Sequence, residues 1–167
     1  MKSFLLKDQK HFMNQLLKSG LFDHFLLSEA SVHGAVSYHV DGHLNRDFFD
    51  ADEWEKLAAD GGEYIPFSYF RPVCYELIRG THTPVYLKFV FLLTPANAER
   101  TIASADCGLS VDDVSGMFLN LSFREGVMTF TSGISYRTFT PDHTLDAAWD
   151  TLVARFLARN SIAFDTQ

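Results

Sequence analysis

Apolar and polar residues repeat along this chain with two periods, and the switches between them outline its elements. Residues 2–6 suit a short strand. Asp8 then caps a helix reaching about Lys18, with Phe12, Met13, Leu16 and Leu17 on one face of a 3.6-residue repeat. From Phe25 to Val40 the period drops to two. Ala30, Val32, Gly34, Val36, Tyr38 and Val40 share one face, and Ser31, His33, Ala35, Ser37, His39 and Asp41 the other. That pattern predicts a half-buried strand, bent or broken near Gly34. Asp41-Gly42 predicts a tight hairpin turn with positive φ at both central positions, and a strand returning through Leu44 to Phe48.

Asp50 and Glu53 make a capping box for a helix through Trp54 and Leu57 to Ala59, closed by Gly61-Gly62. Residues 63–71 read as irregular and aromatic. Pro72 fits the first turn of the next helix, with Val73, Cys74, Leu77 and Ile78 as its buried stripe and Gly80 as its C-terminal cap. Val85–Leu93 becomes apolar on both faces, as a central strand does. Thr94 and Pro95 begin a helix to about Ala105.

Met117–Phe123 and Val127–Phe139 flank a turn at Glu125-Gly126, and this hairpin has a readable register. With Arg124 opposite Val127, one face pairs Phe123 with Met128, Leu121 with Phe130, Leu119 with Ser132 and Met117 with Ile134. The other pairs Ser122 with Thr129 and Asn120 with Thr131. A one-residue slip would mix the faces, so burial should hold this pairing. Asp142 or Thr144 caps an amphipathic C-terminal helix carrying Leu145, Trp149, Leu152, Val153 and Phe156. The expected fold is α+β: a single domain over residues 1–167, with an antiparallel or mixed sheet of about five to six strands and helices packed against it.

Composition adds an aromatic core. The chain has 167 residues, 47% of them apolar, with 16 Phe, 6 Tyr and 2 Trp. That suffices for one packed interior in which rings supply much of the buried area. The formal net charge is −7, and the basic residues are scattered. Phosphate backbones and anionic lipids call for clustered cations, so neither nucleic acid nor a membrane is expected as a partner. No apolar run reaches spanning length, and the one near Met1 is too short for a secretion signal, which points to a soluble cytoplasmic protein. Cys74 and Cys107 form no C-x-x-C and fit a reduced compartment, with Cys74 as a small core residue. The Asn120-Leu121-Ser122 sequon is then without consequence.

Candidate chemistry is thin. His39, Asp41 and His43 are the residue types a divalent transition metal takes, but the expected turn separates the histidines and claims the Asp41 carboxylate for backbone N–H groups. His33, Ser37 and His39 share a polar strand face, without the sharp elbow of a serine nucleophile. Glu29, Asp47, Asp52 and Glu53 supply carboxylates that capping and solvation explain, and no phosphate-binding glycine motif occurs. Tyr64–Arg71 reads as a lid on the core, or else as a binding surface. No catalytic, cofactor-binding or metal residue is assigned.

Five stretches together carry a resemblance: Phe22–Ala30, Val40–Asn45, Leu77–Gly80 with Thr83-Pro84, Gly116–Leu121, and Thr129–Thr140 followed by Ala147–Asp150. In this order the chain resembles a family of uncharacterised bacterial proteins, a domain of unknown function from anaerobic Gram-positive bacteria. The resemblance implies a small standalone bacterial protein and brings no activity, cofactor or catalytic residue. The functional expectation is a non-enzymatic binding or interaction domain, with a homo-oligomer among the partners left open. The alternative is a small enzyme or ligand-binding protein with a polar pocket around His33, His39 and His43.

Overall fold

The hairpin read from the sequence forms the middle of the sheet. The computed structural model describes residues 1–167, the side chain of Asp60 excepted. In it β6 (Val114–Arg124) and β7 (Val127–Tyr136) pair in the expected register, from Arg124 opposite Val127 to Met117 opposite Ile134. Glu125 and Gly126 both have positive φ, 52° and 79°, the conformation a two-residue hairpin turn requires. Leu121 and Phe130 are fully buried, while Asn120 and Thr131 stay half-buried on the other face. Ser132, the polar exception on the apolar face, donates its hydroxyl to the buried Asp150 carboxylate and accepts from the Lys2 amide at 3.0 Å. Its burial therefore leaves no unpaired hydroxyl.

The sheet extends from this hairpin in both directions. β5 (Tyr86–Leu93) flanks β6, then come β2 (Phe25–His33) and β3 (Ser37–Asp41). On the other side lie β1 (Ser3–Leu6) and β8 (Phe164–Thr166), and a two-residue β4 (Ile65–Pro66) also pairs with β2. The strand order is β3-β2-β5-β6-β7-β1-β8, and all pairings are antiparallel. The eight strands exceed the expected five to six. The long period-two run splits at Gly34 into β2 and β3, and β4 and β8 are too short to show a period. The expected strand from Leu44 to Phe48 does not form.

One face of this sheet is apolar and carries helices. α1 (Gln9–Lys18), capped by Asp8 as expected, α3 (Phe67–Ile78) and α5 (Thr144–Arg159) lay buried side chains on it. Phe22, in the α1–β2 connection, shows how the layers meet: its ring contacts Phe12 of α1, Phe25, Phe91 and Phe130 of the sheet, and Phe156 of α5, at centroid distances of 5.3–5.9 Å. α4 (Pro95–Ala105), with Thr94 as N-cap, packs beside α5. The other face is apolar at the end where Leu26, Val90 and Leu92 are buried, and polar beyond it. Lys88 donates to Glu29 at 3.0 Å, Ser122 and Thr129 share a hydrogen bond of 2.9 Å, and Ser31 meets His39 at 3.1 Å. Where that second face is solvated the strands alternate cleanly, as in β6 from Met117 to Phe123, and where it is covered β5 is buried on both sides from Phe89 to Leu92.

Three local readings need correction. Asp41-Gly42 is not a hairpin turn, and Gly42 does not adopt positive φ. Residues 67–71 are not irregular but open α3, so Pro72 lies inside that helix rather than in its first turn. Its buried line is Phe67, Phe70, Cys74 and Ile78, a helical spacing that leaves Val73 in solvent, and the cap is Arg79 rather than Gly80.

Candidate functional site

The free edge of β2 is covered in two instalments. β3 pairs with it as far as Asp41 opposite Glu29, and the Gly42 amide donates to Ser28 O at 2.9 Å. The chain then leaves the edge. It returns at β4, whose Ile65 and Pro66 pair with Leu27 and Leu26 in the same direction. β3 and β4 are thus two halves of one edge strand, separated by an excursion over residues 43–64. A neck closes the excursion: Ile65 N donates to Gly42 O and Leu44 N to Glu63 O, both at 2.8 Å, and the His43 ring lies 4.3 Å from Tyr64. Gly42 is required here for space. A Cβ on it would stand 1.8 Å from the Leu27 carbonyl oxygen.

The excursion folds around its own aromatics. Asn45 caps a short 3-10 turn, Arg46–Phe48, and the Asp50–Glu53 capping box starts α2 (Ala51–Gly61), which ends at Gly62 with φ 70°. Arg46 sits 5.2 Å over the Trp54 ring, and Phe49 lies between Trp54 and Phe48, edge-on to Phe48 and tilted to Trp54. Phe48 itself is left 79% exposed.

A cleft of about 860 Å³ opens between this excursion and the body. Phe48, Phe49, Glu53, Lys56 and Leu57 form one wall. Ser68 and Tyr69 of α3, Asn97 and Arg100 of α4, and Asp23-His24 form the others. Tyr69 is 65% exposed at the rim. Arg71 holds Asp23 through two hydrogen bonds of 2.8 and 3.2 Å, and that contact raises the Arg71 pKa above its ordinary value. Glu53 is engaged by the Asp50 amide at 3.2 Å. Across the Phe48-Phe49 ridge a second hollow, of about 300 Å³, is walled by Val40, Leu44, Ile65 and Phe70 and reaches Asp41 and His43.

The histidines do not gather. His33 and His39 face each other across β2 and β3 with ring centroids 5.3 Å apart, and His33 also lies 4.8 Å from Tyr86. The serine that touches a histidine is Ser31, through His39 Nδ1, rather than Ser37. A one-strand reading could not find that pairing, because Ser31 and His39 are cross-strand partners. His43 sits apart at the neck, where its amide and Nδ1 approach the same Asp41 oxygen at 3.0 and 2.9 Å. Among the described residues no group of three His, Cys, Asp or Glu could hold a metal ion. Of the four carboxylates singled out, Glu29 binds Lys88 and Glu53 the Asp50 amide, while Asp47 and Asp52 are exposed on the excursion.

Hydrogen bonds from the His43 backbone and side chain hold the Asp41 carboxyl below its ordinary 3.8, and Thr144 does the same to Asp142. Depressed carboxyl values favour the native state above the unfolded value, and that contribution fades as pH falls through the lower folded value. Carboxyl-carbon NMR titration is expected to place both midpoints below 3.8. Burial pushes the Cys74 thiol up to about 12, so the thiolate needed for reaction is scarce. At pH 8 a disulfide reagent is expected to modify half-buried Cys107 first and Cys74 only on unfolding; early modification of Cys74 would contradict its burial.

The aromatic run 64–71 is both lid and rim. Phe67 is fully buried against Phe89 and Phe91, Tyr64 packs on His43, and Tyr69 faces the cleft. Phe48 and Phe49 line the cleft, although the sequence reading assigns them no role there.

No curated protein and no solved structure shows significant similarity to the chain. Residues 15–165 match the model of a family described as of unknown function, DUF5721. That match takes in the whole sheet apart from β1 and the last residue of β8, together with the excursion and the cleft, and on it the chain belongs to this family.

Proposed function

We propose that this protein is a binding domain, without catalytic chemistry of its own, and that the excursion cleft is its recognition surface. The observation that carries this reading is the pair of exposed aromatics, Phe48 and Tyr69, on either side of the cleft. Large apolar side chains left in water around a concavity are what partner surfaces use as anchors. The rim is suited to a protein segment: aromatic area from Phe48, Phe49 and Tyr69, hydrogen-bonding capacity from Ser68 and Asn97, and charge from Lys56 and Arg100. A cytoplasmic setting belongs to the same reading, since both cysteines are free.

Peptides selected from a random displayed library against the whole protein provide the test. The paired substitution Phe48→Ser and Tyr69→Ser is expected to weaken the selected peptides at least about tenfold, the loss typical of an aromatic anchor. Peptides indifferent to both substitutions would place recognition elsewhere. Sedimentation equilibrium of the wild type and the same variant shows whether the segment bound belongs to a second copy of the chain.

A further inference from the structure

Another cavity lies at the far end of the apolar sheet face from the excursion neck. Its floor is one cross-strand row, Leu87, Phe123 and Met128, which the register places side by side on β5, β6 and β7. Met13 and Leu17 of α1 and Ile78 of α3 form its apolar walls, and residues 79–84, the α3–β5 connection, lie across it. The volume is about 490 Å³, within the range of small-molecule sites. Two methionines in the lining let it adapt to the shape of what enters.

The mouth is chemically one-sided. Among the described residues that line the cavity, Lys10 and Arg79 are cationic, Gln9, Thr81, His82 and Thr83 offer hydrogen bonds, and none is an Asp or Glu. Arg79 is tied to Glu76 at 2.7 Å, while Lys10 makes no ion pair among the described residues. With Arg79 neutralised by Glu76, Lys10 is the cation left to the mouth, in a lining that holds no carboxylate although the chain's net charge is −7. An apolar interior closed by such a rim matches a molecule with an apolar body and a single negative head. We infer that this cavity binds a small apolar carboxylic acid, its hydrocarbon part on the Leu87–Phe123–Met128 row and its carboxylate at Lys10.

Decanoate and 1-decanol, titrated into the full chain below their micelle or solubility limits, separate the two parts of this claim. Decanoate is expected to bind, to move the ¹³C-methyl NMR signals of Met13 and Met128, and to bind at least tenfold more tightly than the alcohol. Lys10→Glu, on the exposed face of α1, is expected to weaken decanoate at least fivefold and leave 1-decanol unchanged. Met13→Trp, which fills the cavity, is expected to abolish binding of both. No binding of decanoate, unmoved methionine signals, or equal affinity for acid and alcohol would each overturn the assignment. So would a Lys10→Glu variant with wild-type affinity for decanoate. Phe48→Ser is the control: loss of decanoate binding in that variant places the ligand in the excursion cleft and also overturns the proposal.

Discussion

Trp149→Ala is expected to destabilise the protein by about 3–5 kcal/mol, the range for truncating a large buried aromatic. Trp149 is 5% exposed on α5, and its indole N–H donates to the carbonyl of Phe118 at 3.1 Å. Truncation removes the ring from the packed layer and also withdraws the bond by which α5 grips the main chain of β6. Trp149→Phe separates the two: it keeps most of the apolar area and gives up the hydrogen bond, so its cost should fall to about 1–2 kcal/mol. Urea unfolding followed by far-ultraviolet circular dichroism measures both, and a loss below about 1 kcal/mol for the alanine variant would show that α5 contributes little to the core.

Gly42→Ala is expected to cost about 3 kcal/mol or more, although it adds one methyl group to a residue with ordinary φ. The new carbon would lie 1.8 Å from Leu27 O, 2.7 Å from Leu27 C and 3.0 Å from Ser28 O. All three are backbone atoms, and no rotamer change relieves them. The edge strand must draw away from β2, loosening the neck bonds of Ile65 and Leu44. Gly34→Ala is the matched comparison. Nothing lies within 4 Å of its added carbon, and its effect should stay within about 0.5 kcal/mol. Equal effects of the two substitutions would refute the close-approach account.

How far the sequence could be read follows from where each signal originates. The β6–β7 register was legible because period-two burial and a Glu-Gly turn specify the same pairing, and α1, α2 and α4 were legible because Asp8, Asp50 and Thr94 announce their own first turns. The edge strand was not. Asp41-Gly42 has the composition of a hairpin turn, yet Gly42 is needed for a contact with Leu27, and no local pattern distinguishes a glycine that bends the chain from one that lets another strand approach. α3 was cut short for a related reason: Pro72 suggests a start, although Phe67, Phe70, Cys74 and Ile78 already carry the helical spacing. The candidate site depends on these two places. The cleft joins α2, α3, α4 and the Asp23-His24 turn, and their meeting is a tertiary fact with no periodic trace.

The divided edge strand has a consequence for how this protein can change. Because the chain departs at Gly42 and rejoins at Ile65 on the same edge, with the two points hydrogen-bonded to each other, the sheet continues past the interruption. Closing a flexible loop costs free energy that grows only with the logarithm of its length, about 0.6 kcal/mol for each doubling. Residues can therefore be inserted or deleted between the neck and α2 with little strain on the sheet, while each such change reshapes the wall that presents Phe48 and Phe49. The shape of the cleft can drift through insertion and deletion in this one stretch, under far looser constraint than the aromatic interior around Phe22.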